Sequence, residues 1–481
     1  MSTVAAETSA PAIQEGTFLG HPKGLFVLFL TEMWERFSYY GMRSLLALYM
    51  LNYLFIKPEV GKQVLGFNAI AGMFHLLFHE TWTAQPLQSW VYGLYTGFVY
   101  FTPFFGGMLA DRVLGQRRTV VVGAVLMAIG HFMMASERMF FLALLTLILG
   151  NGCFKPNIST QVGLLYPPGD KRRDRAFSIF YVGINIGAFL APLVCGTLGQ
   201  SKLGWHWGFG AAGVGMVLGL IFYLMNQKYL APDVLAQRKA APAEPRRRPT
   251  SFWDWAKGSL TRDEWLRVGA ICFACLIVGA FWAVYEQQGN TLQIWADRNT
   301  QLHFLGFTMP STWYQAFNPF MIWFFTPVLT SLWGRQSAAG KEPTSLMKMA
   351  IGLTLLALGF VVMIVAAQGM APDAKRSILW LTGATVIFTL GELYLSPMGL
   401  SFVTKVAPAR IVSMMMGVWF FANAIGNYTT GYLGTFYEKM PKSQFFALCT
   451  AIAMVAGVAL FILSRPLDKI VGKHDKQEAH S

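Results

Sequence analysis

Apolar runs of about 20 residues recur along the chain from Leu25 to Leu463, separated by polar connections. A helix rises ~1.5 Å per residue, so each run can cross a hydrocarbon layer of roughly 30 Å. Lipid cannot satisfy backbone polar groups, which restricts spanning segments to helices or closed barrels. Barrel strands alternate over about ten residues, and these runs are too long and too uniformly apolar for that. The pattern predicts an all-α membrane protein with twelve spans, at 24–52, 87–110, 118–136, 139–165, 176–200, 206–227, 266–290, 308–333, 346–368, 376–405, 411–436 and 444–464. The longest polar stretch, Lys228 to Arg262, contains APAEPRRRPTS. It divides the chain into two six-helix bundles, 24–227 and 266–464, joined by a basic linker over 228–265, with polar tails over 1–23 and 465–481.

A second long connection runs over 55–86. Its middle, LGFNAIAGMFHLLFHETW, is apolar for a loop and reads as an amphipathic helix against a membrane face or over an entrance. His75 and His79 have the i, i+4 spacing of a metal pair, and Glu80 adjoins them. No third ligand is evident, so no metal is expected.

Composition agrees with a lipid environment: 54% of residues are hydrophobic and 13% charged, whereas soluble domains carry about 25% charged residues. The net charge of +14 reflects topology rather than nucleic-acid binding. Of the 38 Lys and Arg, 26 lie on the side of the termini, nine on the opposite side, and Arg36, Arg43 and Lys155 lie inside spans. The positive-inside rule therefore predicts a multi-pass protein of the cell (inner) membrane with both termini cytoplasmic. The segment Met1 to Gly20 lacks the layout of a cleavable signal peptide, so the first span is expected to be retained. All five cysteines fall in apolar spans, including the Cys272/Cys275 pair, and read as small packing residues. GFGAAG (Gly208 to Gly213) follows no strand and reads as helix packing rather than a dinucleotide fingerprint. The sequons at Asn157 and Asn427 lie within or at the edge of spans. No nucleophile–base or metal constellation is present, so neither an enzyme nor a cofactor is expected.

The chemistry lies in charges inside spans. In the first span, EMWERFSYYGMR places Glu32, Glu35, Arg36, Tyr39 and Arg43 in one helical sector, with Tyr40 at its edge. Each isolated charge at the bilayer centre costs at least ~2.5–3.5 kcal/mol, so the cluster needs partners, a wet path or both. Lys155, in GNGCFKPN of the fourth span, stands alone before a kinking Pro156. Its depth is similar to that of Glu35, which predicts a pair with Glu32 or Glu35. Glu286, in FWAVYEQQGN, lies near the outer end at about the depth of Arg43. Glu392, in GELYLSPMGLS, lies near the midplane.

The loop GGMLADRVLGQRR resembles the signature loop of the major facilitator superfamily. Gly107 and Gly115 would permit close approach, Asp111 would pair a basic group or a helix end, and Arg112, Arg117 and Arg118 would fix topology. ERFSYYGMR, FKPN, FSIFYVGINIGAFLAP, YEQQG, QAFNP and GELYLSPMGLS together resemble the proton-dependent oligopeptide transporter (POT) family. The resemblance implies a major facilitator fold and a proton-coupled symporter, working as a monomer, that imports di- and tripeptides by alternating access. A proton symporter of another small anionic or zwitterionic solute (nitrate or a peptide-like metabolite) and a non-transporting peptide sensor are the alternatives. Many bacterial members carry two extra helices between the bundles. The linker here is too polar and short for them. Animal members carry a proton-handling His after a Tyr in the second span; here Thr96 follows Tyr95, so protonation is expected on carboxylates.

A peptide is a zwitterion with variable side chains, so its receptor should grip the termini. Arg36 and Lys155 are expected to hold the carboxylate; Glu392, Asn185 and Asn318 the ammonium. Tyr39, Tyr40, Tyr95, Trp282, Trp419 and Phe420 would line the pocket, with Arg43 beside it. Arg43–Glu286 is expected to close the outer side and Lys155–Glu392 the inner side. The proton is placed on Glu32 or Glu35, with Glu286 as a further candidate and Lys155 as partner.

Overall fold

The computed structural model describes residues 16–167, 170–233, 235, 261–304, 306–371, 373–408 and 411–478. Residues 236–260 of the expected linker, where extra helices between the bundles would lie, and most of the expected N-terminal tail are outside that set. Among the described residues, twelve helices reach 18 residues or more. They are α1 Lys23–Tyr49, α2 Ala84–Phe101, α3 Gln116–Met133, α4 Phe140–Leu164, α5 Arg172–Gln200, α6 Trp205–Met225, α7 Arg262–Tyr285, α8 Phe317–Ala338, α9 Ser345–Ala367, α10 Ile378–Val406, α11 Val412–Gly434 and α12 Lys442–Glu478. Seven stretches, built on α4, α5, α6, α7, α9, α10 and α12, are long and apolar enough to cross a membrane. α1 misses that mark because of the five charged residues it carries.

Local signals set the helix ends. A capping box opens α7: Thr261 accepts from the Glu264 backbone N–H, and Glu264 accepts from that of Thr261 at 2.7 Å. Thr344 and Ser377 cap α9 and α10. Three boundaries differ from the sequence pattern. α2 ends at Phe101, and Pro103 starts a separate helix of about two turns, Pro103–Leu109, since proline supplies no N–H to continue the ladder. The eighth helix begins at Phe317 instead of 308, because a hairpin pairing His303–Phe304 with Phe307–Thr308 and a 3-10 turn Ser311–Ala316 come first. α12 continues through Pro466 to Glu478, so most of the expected C-terminal tail is helical.

The apolar residues form two separate large cores. One gathers residues from Leu25 to Ala231; the other gathers residues from Ile271 to Leu460, with Leu51 added. In the first, α1 packs on α5 and α6, and α3 on α4; in the second, α9 packs on α10 and α12, and α7 on α11. The halves meet along α2–α11 and α5–α8. At the α2–α11 crossing Gly93 faces Gly431 so closely that a Cβ on Gly93 would lie 2.5 Å from the Gly431 Cα. Backbones approach this way only where side chains are absent.

The 55–86 connection contains the expected helix, Phe67–Phe78. Phe67 and Phe74 are buried in the first core, and Phe74 meets Trp90 at 5.8 Å. Phe78 stacks on Tyr432 of α11 at 5.7 Å, and Glu80 pairs with Lys439. The segment therefore spans both halves at one end of the molecule.

The superfamily loop corrects the sequence reading. Gly106, not Gly107, makes the close approach: its Cβ would strike the Gly152 carbonyl, whereas a Cβ on Gly107 meets nothing within 4 Å. One residue turns the helix by about 100°, which carries Gly107 off the α4 contact. Asp111 accepts from Gln116 at 3.3 Å rather than from a basic group. Arg117 is tied to the segment after α6, its backbone N–H donating to Asp233 at 2.9 Å and its Nε to the Ala231 carbonyl at 2.9 Å. Gly115 adopts φ 80°, which suits glycine; Arg112 and Arg118 are exposed. Gly106→Ala is expected to lower stability by about 1–3 kcal/mol through overpacking, while Gly107→Ala stays neutral. Thermal midpoints of the two variants in detergent check this.

Candidate functional site

α1 is largely buried, and its charged face is enclosed by protein: Glu32, Glu35, Arg36 and Arg43 are all buried. Arg36 donates to Glu35 Oε1 at 2.7 Å through Nη2 and to Glu35 Oε2 through Nε, and its Nε lies 3.3 Å from Glu32 Oε1. The Arg36 guanidinium is 5.0 Å from the Tyr39 ring centre and 5.9 Å from that of Tyr40. α4 reaches this cluster through Asn151, whose amide donates to Glu35 Oε1 at 3.3 Å. Two turns later on α1, Arg43 donates to the Tyr92 hydroxyl of α2 at 2.8 Å and pairs with Glu286 at the end of α7.

A cavity of about 330 Å³ opens between the halves, within the range of small-ligand sites. The first half contributes Tyr40, Arg43, Tyr100, Lys155, Tyr181 and Asn185 to its wall. The second contributes Trp282, Tyr285, Glu286, Asn318, Glu392, Trp419 and Phe420. Glu392 accepts from Asn318 at 2.9 Å and from the Tyr285 hydroxyl; Asn318 also donates to Thr389 at 3.1 Å. Gly399, which follows the α10 proline Pro397, leaves room for the buried Trp419 ring that presses against it. The cavity thus carries an ammonium on one wall and a carboxylate on the other.

Several expectations do not match this arrangement. Lys155 pairs with neither Glu32 nor Glu35, and the Lys155–Glu392 ion pair is not formed: among the described residues no carboxylate lies within 4.0 Å of Lys155. Arg36, on the same helix as both acids, reaches them with a planar fork and takes their lone pairs. The Lys155 ammonium sits instead 4.4 Å over the Tyr100 ring, a cation–π contact. For the same reason Arg36 is held off the cavity wall, and Glu32, Glu35, Tyr39 and Tyr95 are likewise absent from the lining. Asn185 lines the cavity, but its amide donates to the Tyr181 carbonyl at 2.9 Å on its own helix. Thr96 is turned inward to the Tyr92 carbonyl at 2.9 Å. Tyr100, Tyr181 and Tyr285 were not singled out from sequence, although Tyr285 directly precedes Glu286 in YEQQG. Asn151 is likewise absent from the sequence reading, although its i, i+4 spacing to Lys155 places it on the same helix face.

Hydrogen bonds between the halves gather at the end where α1 finishes. Asn52 donates to Asp297 at 2.9 Å, Gln88 and Ser89 both donate to Asn290 at 3.0 Å, and Gln85 donates to the Gly434 carbonyl at 2.9 Å. Gln200 donates to Ser311 at 2.7 Å, and Trp313 donates to Thr197 at 2.8 Å. With Arg43–Glu286 these seal one end of the cavity.

The profile of the POT family matches residues 117–239 and 250–466. The chain belongs to the POT family. It is 35% identical to an uncharacterized transporter, YclF, of Bacillus subtilis (strain 168), over 96% of this chain and 98% of that one. It is 32% identical to the peptide transporter YePEPT of Yersinia enterocolitica subsp. palearctica serotype O:3 (strain YE-P4), again over 96% and 98%. A crystal structure of a peptide transporter POT in complex with sulfate superposes with a TM-score of 0.79 at 34% identity, covering 95% of this chain and 98% of the other. This POT chain is therefore a transporter by family and an integral membrane protein.

Removing one member of the Arg43–Glu286 pair leaves a buried charge alone, which typically costs 3–5 kcal/mol. Glu286→Ala is therefore expected to lower the thermal midpoint more than the double variant Arg43→Ala/Glu286→Ala. A double-mutant cycle of melting temperatures in one detergent measures the difference.

Proposed function

We propose that this POT chain is a proton-coupled symporter that imports di- and tripeptides by rocking two six-helix bundles, twelve spans in all, about the central cavity. In this reading both termini are cytoplasmic, by the distribution of Lys and Arg, and the sealed end is the outer one. The observation that carries the reading is the cavity itself, with the Lys155 ammonium on the first half facing the Glu392 carboxylate on the second. A zwitterion bound across it would draw the halves together. Lys155 takes the peptide carboxylate over the Tyr100 ring, and Glu392, steadied by Asn318 and Tyr285, takes the ammonium. Tyr40, Trp282, Trp419 and Phe420 supply apolar surface for variable side chains. The relatives named as peptide transporters favour this substrate class over nitrate.

Coupling runs through α1. Glu32 and Glu35 together clamp Arg36. A proton on either carboxylate weakens the clamp and lets the guanidinium swing toward the cavity, where it would join Lys155 on the peptide carboxylate. At the outer end a proton on Glu286 would weaken its hold on Arg43 and favour opening. Lys155 and Glu392 would approach each other only when the inner end closes, which accounts for their separation here. A ligand shifts such an equilibrium only by its differential affinity for the two states. The driving force suffices: a proton falling through ~100 mV releases about 2.3 kcal/mol, and one pH unit adds about 1.4 kcal/mol.

Purified protein in liposomes with an acidic exterior should accumulate a labelled dipeptide. Unlabelled di- and tripeptides should compete, while free amino acids, tetrapeptides and nitrate should not. Binding without uptake would instead indicate a sensor. Lys155→Ala and Glu392→Gln should each weaken dipeptide binding at least about tenfold, the loss of a charged partner worth about 1.5–3 kcal/mol. Glu35→Gln should keep downhill exchange but lose uphill accumulation; uphill accumulation by that variant sinks the coupling scheme.

A further inference from the structure

We propose that Asn423 of α11 reads the peptide bond of the substrate, and so separates peptides from free amino acids. This rests on the proposed function and adds a contact between the two terminal grips. Asn423 lines the cavity and is only 7% exposed. Its carboxamide makes no hydrogen bond to any described residue, and its Oδ1 is buried without a partner. The other carboxamides of the wall donate to protein acceptors: Asn185 to the Tyr181 carbonyl, Gln288 to that of Tyr285, Gln315 to Gln293, and Asn318 to Glu392. A buried amide left unmatched costs stability, so the empty valence at Asn423 is a feature to be filled.

Its place in the wall fits that use. Asn423 lies one helical turn beyond Trp419, which also lines the cavity, and α11 packs on α7 where Trp282 enters the same space. The Trp282 indole N–H is likewise buried without a partner. The charged grips, Lys155 and Glu392, address features that every zwitterion has, free amino acids included. A side-chain amide offers both N–H donors and a carbonyl acceptor, the complement of a peptide C=O and N–H. A site built to hydrogen-bond a group rejects analogues that lack it far better than an apolar site rejects an added one.

The test uses full-length protein in liposomes and compares dialanine with its depsipeptide, in which an ester oxygen replaces the amide N–H. Competition against labelled dialanine gives the ratio of the two half-inhibitory concentrations, a value internal to each variant and independent of how much protein folds. Wild type should prefer the amide about tenfold, equivalent to about 1.4 kcal/mol. Asn423→Leu, matched in size, should bring the ratio near one, mainly by weakening dialanine. Asn423→Ala provides a smaller variant with the same expectation. A packing role would weaken both ligands equally and preserve the ratio, and that result overturns the proposal while leaving peptide transport standing. Wild-type liposomes that take up dialanine but show no preference overturn it as well. Wild-type liposomes that take up no dialanine overturn the functional reading and this inference together.

Discussion

The architecture depends on one electrostatic constraint: α1 carries two carboxylates and two guanidinium groups where neither lipid nor apolar side chains can solvate them. The chain meets it by pairing at two levels. Arg36 settles with Glu32 and Glu35 inside the first half, while Arg43 settles with Tyr92 and reaches across to Glu286. The first pairing is closed within one helix and independent of the other half. The second exists only while the halves touch. One helix therefore carries both a permanent charge cluster and a conditional one, and the central cavity lies beside them. A lone charge in such surroundings would demand several kcal/mol, so the Arg43–Glu286 pair favours contact between the halves.

Small residues make the motion sterically feasible. The Gly93–Gly431 contact brings α2 and α11 backbone to backbone without interlocking side chains, which leaves a smooth surface on which one helix can turn against the other. The two apolar cores are distinct, so each half keeps its own packing while the seam between them changes. Interiors are close-packed and resist continuous deformation; the proposed rocking would therefore fall on this seam of glycine and amide contacts rather than on the two cores.

Much of the fold was legible because hydrophobic run length is a strong signal and each half buries its own core. Helix ends were less legible where proline and tight turns intervened, as at Pro103 and in the segment before Phe317. The charged residues were found easily, since an ionised side chain in an apolar run stands out. Their partners were not. Lys155 and Glu35 share a depth, but depth says nothing about azimuth, and Arg36 lay closer to both acids. Asn151 took the place on α4 that depth alone had assigned to Lys155. Neutral groups such as Tyr100 and Asn423 carried no comparable signal, because tyrosine and asparagine within spans are common enough to pass unnoticed.

The seal at the α1 end is mostly made of amides and hydroxyls: Gln85, Gln88, Ser89, Asn290, Gln200 and Ser311 keep the same charge at every physiological pH. Asp297, which accepts from Asn52 and Ser311, and the Arg43–Glu286 pair are the ionisable parts of it; the proposed protonation of Glu286 would leave the amides and hydroxyls unchanged. In the proposed cycle a mostly neutral collar of this kind would suppress slippage: a stray proton arriving without cargo would meet a door that is still latched, and the ion gradient would not be squandered on empty cycles.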